Sequence, residues 1–217
     1  MMKSDFKKEL KRQLFHLTGL LALPLALLIG KTFVGIGGLG LALLACCLAE
    51  YYKKREEFKE KAGPSRPVLE KMEDLFYGAL NSVERRANLE KQPYVNAFSF
   101  NLGVGLTFLL LPLEIASLSV VAFVVGDSAA TLVGISWGRH RLPFVRKKSW
   151  EGSLGCLLSS SLACGVLSFF IEIPLPLIPV AAFGGTLTEA FSGQLDDNLT
   201  MPLVVGLLLF LCSRYFF

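Results

Sequence analysis

Residues 126–134 are Gly126-Asp127-Ser128-Ala129-Ala130-Thr131-Leu132-Val133-Gly134, and they place one acid inside an apolar run. An ionisable side chain within a membrane segment is costly and marks a functional site by default. Gly126, Ala130 and Gly134 recur every four positions, a pattern that lets helices approach closely. Asp127 and Thr131 form the neighbouring stripe, so we expect Asp127 to face another helix or a cavity rather than lipid.

The composition extends this expectation to the whole chain. The sequence has 217 residues, 53% of them hydrophobic, and a mean hydropathy of +0.52. The apolar residues gather in runs of about twenty, the length that spans a bilayer. We therefore predict an all-α fold, a single polytopic transmembrane helix bundle over residues 1–217. Its seven spans are predicted at 14–29, 32–52, 93–111, 115–135, 153–171, 177–192 and 199–217.

Three segments between or before the spans are rich in Lys and Arg. Residues 1–13 are predicted to form an amphipathic cytoplasmic start, 53–92 a cytoplasmic loop with a helical piece at 69–90, and 136–152 a basic loop. Seven spans place all three on one side of the membrane, and basic loops favour the cytoplasm. The N-terminus is therefore predicted inside and the C-terminus outside. The apolar run after the basic start lacks a small-residue cleavage site, so no cleaved signal peptide is expected.

Other classes of site are not indicated. The five cysteines lie in apolar segments without a Cys-x-x-Cys pair and are interpreted as packing residues. No phosphate-binding GxxxxGK[ST] motif occurs, so a P-loop nucleotide site is not indicated. No nucleic-acid partner is predicted, and the sequence leaves open whether the chain forms a homo-oligomer.

The basic loop at 136–152 has features beyond the positive charges that explain orientation in the membrane. It ends in Lys148-Ser149-Trp150-Glu151-Gly152-Ser153, directly before an apolar run. A helix N-terminus favours anions through its dipole and its free N–H groups, and lysine binds phosphate as a point charge. We expect Lys148 and Arg139 to bind phosphate, helped by the N–H groups of Gly152 and Ser153. Orientation in the membrane and anionic lipid headgroups are the simpler explanation of the same charges.

Further polar residues are predicted to lie at the same membrane face. Carboxylate oxygens suit divalent cations, so the predicted metal ligands are Asp127, Glu189, Asp196 and Asp197. For Asp196 and Asp197 a solvated turn, capped at Asn198, is an equal alternative. His16 is interpreted either as an interfacial histidine or as part of the site.

These motifs together resemble the CTP-dependent lipid-alcohol kinases, the group of dolichol kinase, phytol kinase and yeast-type diacylglycerol kinase, which is related to phosphatidate cytidylyltransferases. The resemblance rests on a central motif of three stretches, Gly126–Gly134, Gly138-Arg139-His140 and Lys148–Ser153. Two weaker flanking patches support it, Arg12–Gly19 and Glu189 with Asp196–Leu203. The His-Gly-Gly signature of the cytidylyltransferases does not occur, which favours phosphate transfer over CDP-lipid synthesis.

The resemblance implies a membrane kinase that moves the γ-phosphate of CTP to a lipid alcohol of the dolichol, polyprenol or phytol kind, with Mg²⁺. It implies catalytic roles for Asp127, Lys148, Glu189 and Asp197. It implies nucleotide binding by Arg139, His140, Lys148, Ser149, Glu151, Gly152, Ser153 and Asn198. Asp127 and Asp197 are both candidates for the group that accepts the hydroxyl proton. Two alternatives stay open, a cytidylyltransferase and a transporter, although the internal repeats typical of transporters are not visible.

Overall fold

The computed structural model describes residues 3–54, 67, 71, 94–192 and 196–216, and within them the chain is all-α, as predicted. A short 3₁₀ turn, Thr18–Leu21, joins the first two helices. The helices are α1 (Lys3–Leu17), α2 (Ala22–Ile29), α3 (Lys31–Lys53), α4 (Val95–Leu110), α5 (Leu113–Trp137), α6 (Trp150–Leu167), α7 (Leu177–Phe191) and α8 (Asp197–Phe216). Nearly all of the predicted loop at 53–92, with its helical piece at 69–90, lies outside the described residues.

Within the described residues, four helical stretches are long and apolar enough to cross a membrane. They are Glu9–Ile29, Lys31–Tyr51, Leu113–Trp137 and Asp197–Tyr215, and two shorter apolar helices accompany them, Val95–Leu110 and Leu177–Phe191. Large apolar side chains cover the outside of the bundle, among them Leu28, Leu162 and Phe169 at 80%, 73% and 87% exposure. In water such a surface would be a large exposed apolar patch, so it indicates contact with lipid.

Helix α5 lies at the centre of the bundle. Its apolar window is 61% buried, against 22–28% for the other three long stretches. Phe123 and Leu118 of α5 are fully buried together with Phe108 of α4, Leu177 of α7 and Met201 of α8. The helix that carries Asp127 is therefore the one that the other helices surround.

The small residues of α5 allow close approach, which confirms the predicted stripe. A Cβ at Gly126 would lie 2.8 Å from Sγ of Cys156 in α6. A Cβ at Gly152 of α6 would lie 2.8 Å from the carbonyl oxygen of Ala130. Real Cβ atoms do not come this close, so α5 and α6 are held at a separation that larger side chains would prevent.

The two ends of the chain differ in detail from the predicted boundaries. α1 runs from Lys3 through the predicted start of the first span, and Gln13 is only 1% exposed because α1 packs against α5. The last helix begins at Asp197 rather than at 199. Its cap is Asp196, whose Oδ1 accepts the N–H of Asn198 at 3.0 Å, so the predicted cap at Asn198 was wrong. An aspartate at this position satisfies a free N–H group of the first helical turn.

Candidate active site

The basic loop between α5 and α6 folds into a short hairpin. An antiparallel bridge pairs Arg141 with Ser149, the N–H of Leu142 donates to Lys148, and the N–H of Trp150 donates to His140. Leu142 is buried beneath it. These bonds fix the backbone on both sides of Lys148, so the side chain is directed by a folded segment rather than by a free loop.

Lys148 binds two carboxylates from helices that are distant in the sequence. Its Nζ lies 2.7 Å from Oε1 of Glu189 in α7 and 2.8 Å from Oδ2 of Asp197 in α8. The side chain of Glu189 is 4% exposed, and those of Lys148 and Asp197 are 20% and 21% exposed. Three predicted catalytic residues therefore meet in one partly buried cluster, called the Lys148 cluster below.

The charge of Lys148 is set by two opposing effects. Burial disfavours the ammonium and lowers its pKa, whereas Glu189, Asp197 and, at longer range, Asp127 favour the ammonium. The carboxylates prevail, and the pKa of Lys148 is raised above its ordinary value. Lys148 thus stays positively charged near neutral pH, and the carboxylates around it exceed the single charge that it supplies.

Two serines tie the start of α6 to this cluster. Ser149 is the N-cap of α6, and its Oγ accepts the N–H of Gly152 at 3.1 Å. Ser153 donates through its Oγ to Oε2 of Glu189 at 3.4 Å. The N–H of Ser153 bonds the carbonyl of Ser149. The N–H groups of Gly152 and Ser153, which the sequence predicts to bind a phosphate, thus both donate to Ser149 at the capped start of α6.

Glu151 and His140 fasten the outer side of the hairpin. Nδ1 of His140 lies 2.7 Å from Oε1 of Glu151, and the backbone N–H of His140 donates to the same carboxylate. The hydrogen bond from the His140 side chain, followed by backbone N–H groups, lowers the pKa of Glu151 to about 2. The side chain of His140 is 79% exposed, and Arg139 is exposed beside it. Neither takes part in the contacts of the Lys148 cluster.

Asp127 lies in the bundle near a histidine from the first helix. Asp127 is 6% exposed, and its Oδ2 is 3.8 Å from Nε2 of His16. The imidazole of His16 packs edge-on against Phe100 and Phe123, with ring centroids 4.9 and 5.0 Å away. Asp127 therefore faces the protein interior, as its sequence position predicts, and His16 lies beside it instead of at the lipid interface.

The carboxylates suit a magnesium ion that arrives with a nucleotide. Among the residues that the structure describes, no three His, Cys, Asp or Glu side chains meet at metal-binding distance. Glu189 and Asp197 already hold a cation, the Lys148 ammonium. Magnesium is commonly bound by one or two carboxylates together with substrate phosphates rather than by a protein cage. The donor chemistry of Glu189 and Asp197 fits that arrangement, whereas Asp196 uses its carboxylate to cap α8.

Two buried polar residues were not among the predicted site residues. Gln13 and Ser128 are 1% and 3% exposed, and Oε1 of Gln13 and Oγ of Ser128 have no hydrogen-bond partner in the described part of the chain. One signal was present, because Gln13 and His16 are three residues apart and thus share a helix face. A cavity of about 250 Å³ lies elsewhere, between α3 and α4, and its lining includes none of these residues.

Comparison with known proteins agrees with the predicted resemblance. The chain is 29% identical over 157 residues to a probable chloroplastic phytol kinase 2 of Glycine max. It is 32% identical over 135 residues to a CTP-dependent diacylglycerol kinase 1 of Schizosaccharomyces pombe. It is 42% identical over 113 residues to a phytol kinase of Synechocystis sp.. These relatives confirm the resemblance to CTP-dependent lipid kinases.

The similarity covers part of each protein. The three matches include 67%, 56% and 49% of this chain and 53%, 62% and 48% of the relatives. The chain thus spans about half to three fifths of the curated relatives that it matches. No protein-family model matches the chain. No solved structure matches it either.

Proposed function

We propose that this protein transfers the γ-phosphate of CTP to the hydroxyl group of a membrane lipid alcohol. The observation that carries the proposal is the Lys148 cluster, which joins a fixed ammonium to two carboxylates within electrostatic range of the buried Asp127. The names of the relatives supply the substrate classes, phytol, diacylglycerol and CTP. The long apolar helices support a lipid acceptor that reaches the site from the bilayer.

The donor side of the reaction is assigned to the Lys148 cluster. Phosphoryl transfer depends mainly on positioning and on neutralising the charge that spreads over the transferred group. Lys148 binds the phosphates as a point charge, and the hairpin holds its backbone in place. Glu189 and Asp197 would hold Mg²⁺ once Lys148 turns toward the nucleotide. When bound, the ion supplies positive charge next to the phosphate oxygens. Without it, the carboxylates of Glu189 and Asp197 would repel those oxygens.

The acceptor side is assigned to Asp127. The two candidates for the proton acceptor differ in their surroundings, because Asp197 is paired with the Lys148 ammonium at 2.8 Å. Among the described residues, the ion-pair partner of Asp127 is His16, whose Nε2 lies 3.8 Å from Oδ2. Its carboxylate is therefore available to accept the hydroxyl proton while the alcohol oxygen attacks the γ-phosphorus. Bond formation to that phosphorus releases CDP.

The same proposal includes an orientation in the membrane. Seven spans with the N-terminus in the cytoplasm place the hairpin at 138–150 on the cytoplasmic side. CTP is a cytoplasmic solute, so this orientation brings the nucleotide to Lys148 from the water side. The lipid alcohol arrives laterally, and its chain remains among apolar helix surfaces.

The experiment that tests this function follows two labels of CTP. Purified protein in lipid nanodiscs is given Mg²⁺ and either γ-labelled or α-labelled CTP, with phytol, a polyprenol or diacylglycerol as acceptor. We expect the γ-label in a lipid monophosphate, CDP as the second product, and phytol as the preferred acceptor. Incorporation of the α-label with release of pyrophosphate would identify a cytidylyltransferase. Absence of label from every lipid would remove the kinase.

A further inference from the structure

The contact between α1 and α5 contains buried polar atoms with no partner. Nε2 of His16, Oε1 of Gln13 and Oγ of Ser128 are inaccessible and make no hydrogen bond within the described residues. Leaving such a group unpaired costs about 1–3 kcal/mol, so buried polar groups are normally satisfied by protein, water or ligand. The unpaired Nε2 of His16, 3.8 Å from Oδ2 of Asp127, therefore indicates that a polar group of a bound molecule belongs between them.

The distance between His16 and Asp127 fits a single bridging oxygen. Nε2 of His16 and Oδ2 of Asp127 are 3.8 Å apart, which is too long for a direct hydrogen bond. An oxygen roughly 2.8 Å from each atom would bridge this separation with ordinary hydrogen-bond lengths. A hydroxyl group is suited to this position, since it accepts from the imidazole N–H and donates to the carboxylate.

The side chains that pack around this position are aromatic. The His16 ring is held between Phe100 of α4 and Phe123 of α5, whose own ring centroids are 5.7 Å apart. The Phe100 ring packs directly against Gly19, because a Cβ at position 19 would collide with the ring. The aromatic contacts fix the imidazole, and the exposed outer residues of α1, Leu14 and Phe15, face the surroundings of the bundle.

We propose that His16 is a substrate-binding residue that holds the acceptor hydroxyl against Asp127. The inference rests on the proposed kinase function and adds a residue to its acceptor side. His16 Nε2–H donates to the alcohol oxygen, and the alcohol O–H donates to Oδ2 of Asp127. On transfer, the proton goes to Asp127 and the oxygen forms its bond to the γ-phosphorus. The bond from that phosphorus to the β–γ bridging oxygen breaks, and CDP leaves with the electron pair.

The test compares phytol with phytane, the same hydrocarbon without the hydroxyl, by thermal unfolding of the protein in detergent without CTP. We expect phytol to raise the melting temperature more than phytane in the wild type. The difference should disappear in His16→Phe and persist in part in His16→Gln, which keeps an N–H donor. Thr18→Val is the control, because Thr18 bonds its own helix and should retain the wild-type difference.

Kinetics gives the second readout. His16→Phe should raise the KM for phytol about tenfold and leave the KM for CTP unchanged, in line with the loss of one good hydrogen bond to substrate, and His16→Gln should raise it less. Equal effects of phytol and phytane in the wild type would show that water fills the position and would overturn the proposal. An unchanged phytol KM in the His16 variants would overturn it as well. Should the wild type bind phytol through its hydroxyl yet transfer no phosphate, the kinase function fails while the hydroxyl site at His16 stands.

Discussion

Lys148 carries the positive charge on which the proposed binding of a nucleotide depends. Its ammonium is held by Glu189 and Asp197 within a partly buried pocket. Lysine in a comparable site without acidic partners loses its proton readily. Here the acidic partners raise its pKa, so we infer a permanent positive charge that changes partner from carboxylate to phosphate when CTP binds.

The first prediction concerns this charge and its pH dependence. Lys148→Met should raise the KM for CTP about tenfold to a hundredfold, the value of a charge-assisted hydrogen bond. Because the pKa is raised, the contribution of the ammonium is present below the ordinary lysine pKa of about 10.4 and is lost only above it. The ratio of the variant and wild-type KM values should therefore stay constant between about pH 7 and 9.

Steady-state kinetics checks this, with Lys147→Met as the matched control. Lys147 is the exposed neighbour on the same hairpin, so its replacement removes one charge without touching the cluster. A KM ratio for Lys148→Met that shrinks toward one as the pH approaches 9 would mean that burial dominates and the ammonium loses its proton. Equal effects of the two replacements would show that Lys148 acts only as one of the positive charges of the basic loop.

The second prediction concerns Asp127. Asp127→Asn keeps the size of the side chain but removes the proton acceptor, so kcat should fall about 10²–10⁴-fold, the usual contribution of general base catalysis. The melting temperature should change little, because Asp127 has no cation within hydrogen-bond distance in the described chain. Rate assays together with thermal unfolding separate the two effects. A variant with wild-type kcat would remove Asp127 from the mechanism.

At the scale of helices, the position of Asp197 depends on how closely α8 approaches α4. A Cβ at Gly103 of α4 would collide with the carbonyl oxygen of Asn198 and lie 3.1 Å from Leu199 Cα. In a helix, the Asn198 carbonyl would accept the N–H of the residue four positions later. That residue is Pro202, which has no N–H. Ser119 of α5 also reaches α8, and its Oγ donates to the Pro202 carbonyl at 2.6 Å. The start of α8 is thus held by two helices.

The third prediction uses this contact. Gly103→Ala should lower stability by about 1–3 kcal/mol, as overpacking does, and should raise the KM for CTP by displacing Asp197. Gly165→Ala in α6 is the matched control, since a Cβ there meets nothing within 4 Å. That variant should be neutral or stabilised by up to about 1 kcal/mol, because alanine favours the helix. Identical behaviour of the two variants would show that the approach of α4 to α8 does not position the site.

Local pattern predicted the helices and their closest contacts but not the shape of the basic loop. Two glycines of α3 follow the predicted close packing and two do not. Gly35 and Gly38 face α4, as close packing requires, whereas Gly37 and Gly40 face open space. The hairpin around Lys148 depends on backbone hydrogen bonds such as the one from Trp150 to His140, and no residue type in the loop predicts these bonds. The identity of Asp196 as the cap depends on the exact residue at which α8 begins. Sequence patterns rarely predict a helix boundary to within one residue.

At the scale of the whole molecule, the site is assembled from distant parts of the chain. Sequence placed Asp127, Lys148, Glu189 and Asp197 at one membrane face, and the fold brings the last three into contact. What sequence could not decide was the place of α1. His16 has the same local pattern whether it lies at the interface or in the bundle, and only packing of α1 against α5 settles it.

The fourth prediction concerns the orientation of the bundle. In a cysteine-free background, Lys147→Cys on the hairpin and Glu172→Cys on the loop between α6 and α7 mark the two ends of α6. With a membrane-impermeant thiol reagent on intact cells, Glu172→Cys should be labelled at once and Lys147→Cys only after permeabilisation. The reverse order of labelling would place the Lys148 cluster away from cytoplasmic CTP.

The central claim is that the donor phosphate and the lipid hydroxyl occupy one pocket at the same time. Initial rates measured with CTP and phytol varied together test it most directly. A shared pocket requires both substrates before either product leaves, so double-reciprocal plots should give intersecting lines and no label should remain on the protein. Parallel lines, with labelled phosphate covalently bound to the protein, would mean that the two substrates bind in turn and would contradict the single site formed by Lys148 and Asp127.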